Sequence, residues 1–183
     1  MRFIHDDGGR AEAGFKGTAG DCVCRAVAIA AGLPYAEVYR RLAKMQGEQR
    51  VTRRSGKKAA SARNGINVQR KWFRDFMAEI GFTWTPTMGI GTGCTVHLAD
   101  DELPPGRLIV AVSRHYTAVI DGEVHDTYDP QRETWNHVGG DYHPDGWSRV
   151  KPSDRTTHGN INGGDAAWRL SRRCVYGYWK QER

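Results

Sequence analysis

The sequence predicts an α+β chain in which N-terminal helices pack on a C-terminal antiparallel sheet. Three observations predict it. Up to about residue 81 the apolar residues recur at helical spacing. Beyond that point they form short β-branched stretches bounded by turn residues. A length of 183 residues with 39% hydrophobic content suits a single domain, 1–183, with a sizeable core.

The first helix is expected from Cys22 to about Ala31, within GTAGDCVCRAVAIAAGLP, residues 17–34. Asp21 suits its N-cap and Gly32 its C′ position. Val23, Ala26, Val27, Ile29, Ala30 and Ala31 leave almost no polar face, which predicts a central, buried helix. Pro34 suits the first turn of a second helix, PYAEVYRRLAKM, with Val38, Leu42 and Met45 as its stripe. A third, NVQRKWFRDFMAEIG, carries Trp72, Phe73, Phe76 and Ile80 on one face and stops at Gly81.

Strands follow. GFTWTPT and TVHL are short candidates, and RLIVAVS, 107–113, is the best central strand because it is continuously β-branched. HYTAVIDGEVHDTYDP predicts a hairpin turning at Asp121-Gly122, and RCVYGYW predicts the last strand. Residues 131–172 are rich in Gly, Pro, Asn and Asp without a clear period, which predicts a loop-rich insertion that borders or covers a cleft.

Net charge is +6, and much of the excess lies in RVTRRSGKKAASARNGINVQRK, residues 50–71. The plain reading is a solvated basic loop at 48–66. A patch for nucleic acid is the alternative, weighed lower because no zinc-finger or RNP-type motif accompanies it. The absence of an apolar h-region and of any long apolar run predicts a cytoplasmic protein with no membrane span. Four cysteines (Cys22, Cys24, Cys94, Cys174) make a poor disulfide framework for this length and suggest reduced thiols. Cys-x-Cys is not the usual zinc knuckle and no second pair exists, so no metal site is expected, assembly with a histidine being the lesser alternative.

A cysteine in the first turn of a helix meets unsatisfied N–H groups and the positive end of the dipole, which stabilise its thiolate. Cys22 holds that place. Cys24 lies roughly 200° around the helix and reads as core. A thiolate needs a base held by a third group. His115 opens the first hairpin strand, and the returning strand carries Asp126 and Asp129. His97 and His125 are single; His137, His143 and His158 lie in the insertion, and His5 at the terminus. A two-residue turn pairs Ile120 with Glu123 and puts Asp126 on the face of His115. A three-residue loop pairs Ile120 with Val124 and sets Asp129 opposite His115. The Asp-Gly turn chemistry by itself favours Asp126, and one residue of register decides between the two acids.

A cysteine opening a buried helix, then a histidine and an acid on successive strands, resembles the papain-like cysteine peptidases. Asp21-Cys22, His115-Tyr116 and Asp129-Pro130 look most like the bacteriocin-leader-processing branch, and CVYGYW is similar to its final strand. The whole chain also looks like uncharacterised bacteriophage-encoded proteins, which would place it in a host bacterial cytoplasm. The resemblance implies a papain-like fold, with Cys22 as nucleophile, His115 as base and Asp129 as the orienting acid, Asp126 being the alternative. It implies cleavage of a peptide or isopeptide bond, or glutamine deamidation, on a protein or peptide substrate without a cofactor. The family carries glutamine six residues before the nucleophile. Lys16 stands there, which makes it the candidate oxyanion donor beside the Cys22 backbone N–H. The rival reading is a papain-like fold with an idle site that binds a partner.

Overall fold

The computed structural model describes residues 1–49, 60–131, 134–138 and 167–182. Its helices are α1 (Cys22–Ala31), α2 (Tyr35–Gly47) and α3 (Lys71–Glu79). Its strands are β1 (Arg2–His5), β2 (Phe82–Pro86), β3 (Arg107–Val112), β4 (His115–Ile120), β5 (Glu123–Asp126), β6 (Thr134–Val138), β7 (Ala167–Ser171) and β8 (Val175–Gln181). The chain divides into two compact units: Met1–Pro130 with Cys174–Arg183, and Gln131–Arg173. The second corresponds to the expected insertion, but its described part is an antiparallel pair, β6 with β7. The cleft-covering role expected of that insertion falls on residues outside the described set, as do the cations at 50–58 of the basic run. No helix among the described residues is long and apolar enough to cross a membrane.

The first unit is mixed α+β, with a six-stranded sheet in the order β1-β5-β4-β3-β8-β2. β3 lies inside the sheet, paired antiparallel with β4 and β8. Its side chains alternate between two cores. Ile109 joins Ala118 and Trp179 beneath the three helices, while Leu108, Val110 and Val112 face Leu98, Val119, Val124 and Val175 on the other side. Burial on both faces explains why this strand reads as an unbroken apolar run.

The sheet departs from the expected antiparallel one at its edge. Residues 2–5 form β1, which runs parallel to β5 and pairs His5 with Asp126. Four residues are too few to display a period, so the strand is invisible to pattern reading. The TVHL strand also shrinks, to a single bridge between His97 and Cys174. Beside it, Cys94 and Cys174 form a disulfide with Cα atoms 5.8 Å apart, correcting the expectation of four free thiols. Their partnership joins residues 80 apart and depends on tertiary placement, not on spacing.

Helix α1 is fastened at both ends. Gly32 adopts φ 65° and closes the helix, and the Leu33 N–H reaches the Ala28 carbonyl at 3.0 Å. Arg107 of β3 donates to the last-turn carbonyls of Ala30 (2.5 Å) and Ile29 (2.7 Å), tying the negative end of the helix to the sheet. At the other end Asp21 does not cap with its side chain, contrary to expectation. Its carboxylate, 1% exposed, instead accepts from Arg10 Nε at 2.8 Å, from Arg25 and from the Tyr35 hydroxyl. A buried carboxylate between two guanidinium groups has a stronger claim on its oxygens than one backbone N–H.

Candidate active site

Cys22 is the first residue of α1, half-buried, with a free thiol. Burial works against its thiolate, but the neighbouring His115 side chain, the Tyr116 backbone, and the charges of His115 and Arg25 outweigh it. The net effect lowers the thiol pKa from its ordinary value. Cys24 is buried in the helical core, where desolvation, then the charges of Asp21 and Cys22, push its thiol up to about 12. The two cysteines of one helix turn thus sit in opposite electrostatic settings.

His115 follows a two-residue turn, Ser113-Arg114, since Val112 pairs directly with His115. Its ring is 6% exposed, and Nε2 lies 2.6 Å from Asp126 Oδ2. That leaves Nδ1 as the ring nitrogen for the sulfur. Burial opposes the imidazolium, yet the hydrogen bond to Asp126 and the neighbouring Cys22 sulfur hold the His115 pKa up at about 9. Asp126 is itself oriented: Oδ1 accepts the Thr127 N–H at 2.7 Å, which frees Oδ2 for the ring. The Tyr128 ring packs on the imidazole at 4.9 Å between centroids.

The acid at His115 is therefore Asp126, not Asp129. Turn chemistry explains the correction. Asp121 (φ 47°) and Gly122 (φ 84°) both adopt positive φ, the signature of a two-residue hairpin turn, and Ile120 pairs with Glu123. This register puts Asp126 on the face of His115, while Asp129 lies exposed beyond the end of β5. Of the histidines set aside, His97 Nδ1 meets Glu102 at 3.0 Å and His125 Nδ1 meets Asp6 at 3.3 Å. Both have acids, though neither acid lies on an antiparallel partner strand.

Cys22 and His115 open onto a cleft of about 650 Å³. Trp84, Pro86, Met88, Tyr116 and Tyr176 supply apolar lining, and Gly20, Asn64, Gly65, Ile66 and Gln69 also border it. Tyr176 owes its place to a bulge: β8 slips by one residue against β3 between Ala111 and Val112, so Tyr176 lies outside the ladder, 40% exposed. Trp84 crosses β8 at Gly177, where an added Cβ would come within 2.3 Å of the indole.

Lys16, the expected oxyanion donor, is exposed and does not border the cleft; its carbonyl accepts from Arg10 at 3.3 Å. Asn64 and Gln69 do border it with neutral carboxamides, and both were hidden in what reads as a basic loop. The available signal was Asn64-Gly65, a turn pair with Gly65 at φ 85° that packs on Gly20, two residues from Cys22. No protein-family model, curated protein or solved structure matches the chain.

Proposed function

We propose that the protein is a thiol-dependent hydrolase or acyl transferase built on a papain-like fold. The observation that carries the reading is the relay at the mouth of the cleft. Asp126 holds His115 at 2.6 Å, and His115 borders the same cleft as Cys22 at a helix N-terminus, where it favours the Cys22 thiolate. In this scheme the Cys22 sulfur attacks a carbonyl carbon and the oxygen gains negative charge. The Cys22 backbone N–H at the helix start supports that charge, together with a carboxamide from Gln69 or Asn64. His115 gives its proton to the departing amine, leaving an acyl-thioester on Cys22. Water, or a second amine in a transfer reaction, then attacks the thioester while His115 takes up the incoming proton. Substrates of the class are peptide bonds, isopeptide bonds or glutamine side-chain amides.

Iodoacetamide tests the first step. The native protein is alkylated across a pH series, and mass spectrometry locates and times the label. The reading expects Cys22 to react with an apparent pKa below the ~8.5 of a free thiol, and Cys24 to react only after unfolding. Equal labelling of the two, or a Cys22 no faster than a free thiol, would sink it and favour an idle binding module.

A further inference from the structure

Arg114 occupies a backbone conformation that its side chain does not favour. At φ 57° it lies in the left-handed region, which the described chain otherwise gives to twelve glycines and to Asp121 in the Asp-Gly turn. Glycine or asparagine would fill the second position of the Ser113-Arg114 turn with less strain. Arg114 borders the same cleft as Cys22 and His115, and among the described residues no Asp or Glu borders it. Arg10, Arg25, Arg41 and Lys71 each meet a carboxylate. Arg114 has no ion-pair partner among the described residues. A strained residue with an unneutralised cation beside the base is suited to a charged group that arrives with the substrate.

We propose that Arg114 is a specificity residue that receives a substrate carboxylate close to the scissile bond, on the leaving-group side. The side follows from the cleft: Arg114 borders it next to His115, whose proton goes to the departing amine. The ligand chemistry is a carboxylate, which a guanidinium engages through two parallel N–H donors. It has two sources, an Asp or Glu side chain just after the scissile bond or the free α-carboxylate of a chain end. The inference rests on Cys22 acting as the nucleophile.

Three alkylating probes separate the cases. Each carries an iodoacetyl group, from which the Cys22 thiolate displaces iodide as the S–C bond forms. Iodoacetyl-glycinamide is neutral, iodoacetyl-glycine bears a terminal carboxylate, and iodoacetyl-aspartic acid α-amide bears only a side-chain carboxylate. In the wild-type protein at low salt, at least one acidic probe should alkylate Cys22 about tenfold faster than the neutral probe. That preference should shrink in 1 M salt. In Arg114→Gln it should vanish, and Arg114→Gly, which relaxes the backbone and so guards against misfolding, should behave alike. Preference for the glycine probe alone assigns a chain end, for the aspartate probe alone an internal acid, and for both a carboxylate from either source. Equal rates for all three probes in the wild type overturn the proposal, as does a preference that survives Arg114→Gln. A neutral probe that labels wild-type Cys22 no faster than a free thiol overturns the nucleophile reading itself, a distinct result.

Discussion

Removing Asp126 should uncouple the thiol from its base. In the intact site the His115 pKa stands at about 9 although burial alone would lower it, because its hydrogen bond to Asp126 and the neighbouring Cys22 sulfur favour the charged ring. Against the ordinary histidine value near 6.5, that difference is worth about 3 kcal/mol at about 1.4 kcal/mol per pH unit. Without the carboxylate, desolvation of a ring only 6% exposed is opposed mainly by the sulfur. The His115 pKa should then fall toward or below ~6.5. Cys22 in turn loses the charge that offsets its own burial and keeps only the Tyr116 N–H and Arg25. Its apparent pKa should climb above ~8.5, and at pH 6.5 each pH unit of climb removes about nine-tenths of the thiolate. The assay is the iodoacetamide pH profile of the wild type, Asp126→Ala, Asp126→Asn and Asp129→Ala, each first checked for folding. Asp126→Ala should react at least about tenfold more slowly at pH 6.5; Asp126→Asn should fall between, and Asp129→Ala should follow the wild type. The sign on stability is also set. Because the folded His115 pKa is raised, its contribution is fully present below the unfolded value near 6.5 and is lost as pH rises through about 9. The gap in melting temperature between wild type and Asp126→Ala should therefore be widest at the acid end and close above pH 9. A profile that moves with Asp129→Ala and not with Asp126→Ala would refute the register argument outright.

Three further outcomes are expected. Gly177→Ala would put a Cβ 2.3 Å from the Trp84 ring and 2.8 Å from the Thr85 carbonyl. It should cost about 1–3 kcal/mol in urea unfolding and shift Trp fluorescence as that wall of the cleft moves. Asp21→Asn leaves Arg10 and Arg25 without their shared carboxylate in a buried setting. A loss of about 3–5 kcal/mol is expected, read by thermal or chemical denaturation. Arg107→Ala strips two donors from the carbonyl end of α1, and urea unfolding should show a loss of about 1–3 kcal/mol.

What pattern reading captured was local and periodic. Helix α1 is announced by its unbroken apolar face and by Gly32, and it ends at Ala31 as expected. The β4–β5 hairpin is announced by Asp121-Gly122, and the same two residues held the answer to which acid meets His115. Choosing Asp129 let a resemblance at the end of the strand override turn chemistry at its start. What escaped was set by distant partners. Nothing near Asp21 tells that Arg10 and Tyr35 will claim its carboxylate, and nothing near Ala30 tells that Arg107 will reach its carbonyl. Asn64 and Gln69 sit among charges that advertise a solvated loop, although Ala62 between them and the basic run is fully buried. Strand β1 is too short to be seen without β5 beside it.

The bond between Cys94 and Cys174 makes a covalent ring out of the middle of the chain. His115 and Asp126 lie inside the ring, whereas Cys22 lies on the tail that leads into it. The whole Gln131–Arg173 unit is also within the ring. A single backbone cut anywhere between residues 95 and 173 therefore leaves one molecule, with β8 still tethered beside β3. Such a nicked protein should run as one band without reductant and as two with it. A ring of this size restricts the unfolded chain by about 4–5 kcal/mol in the loop-entropy account. Reducing agents, routinely added to keep thiols free, would here loosen β8, the strand that brings Tyr176 to the cleft.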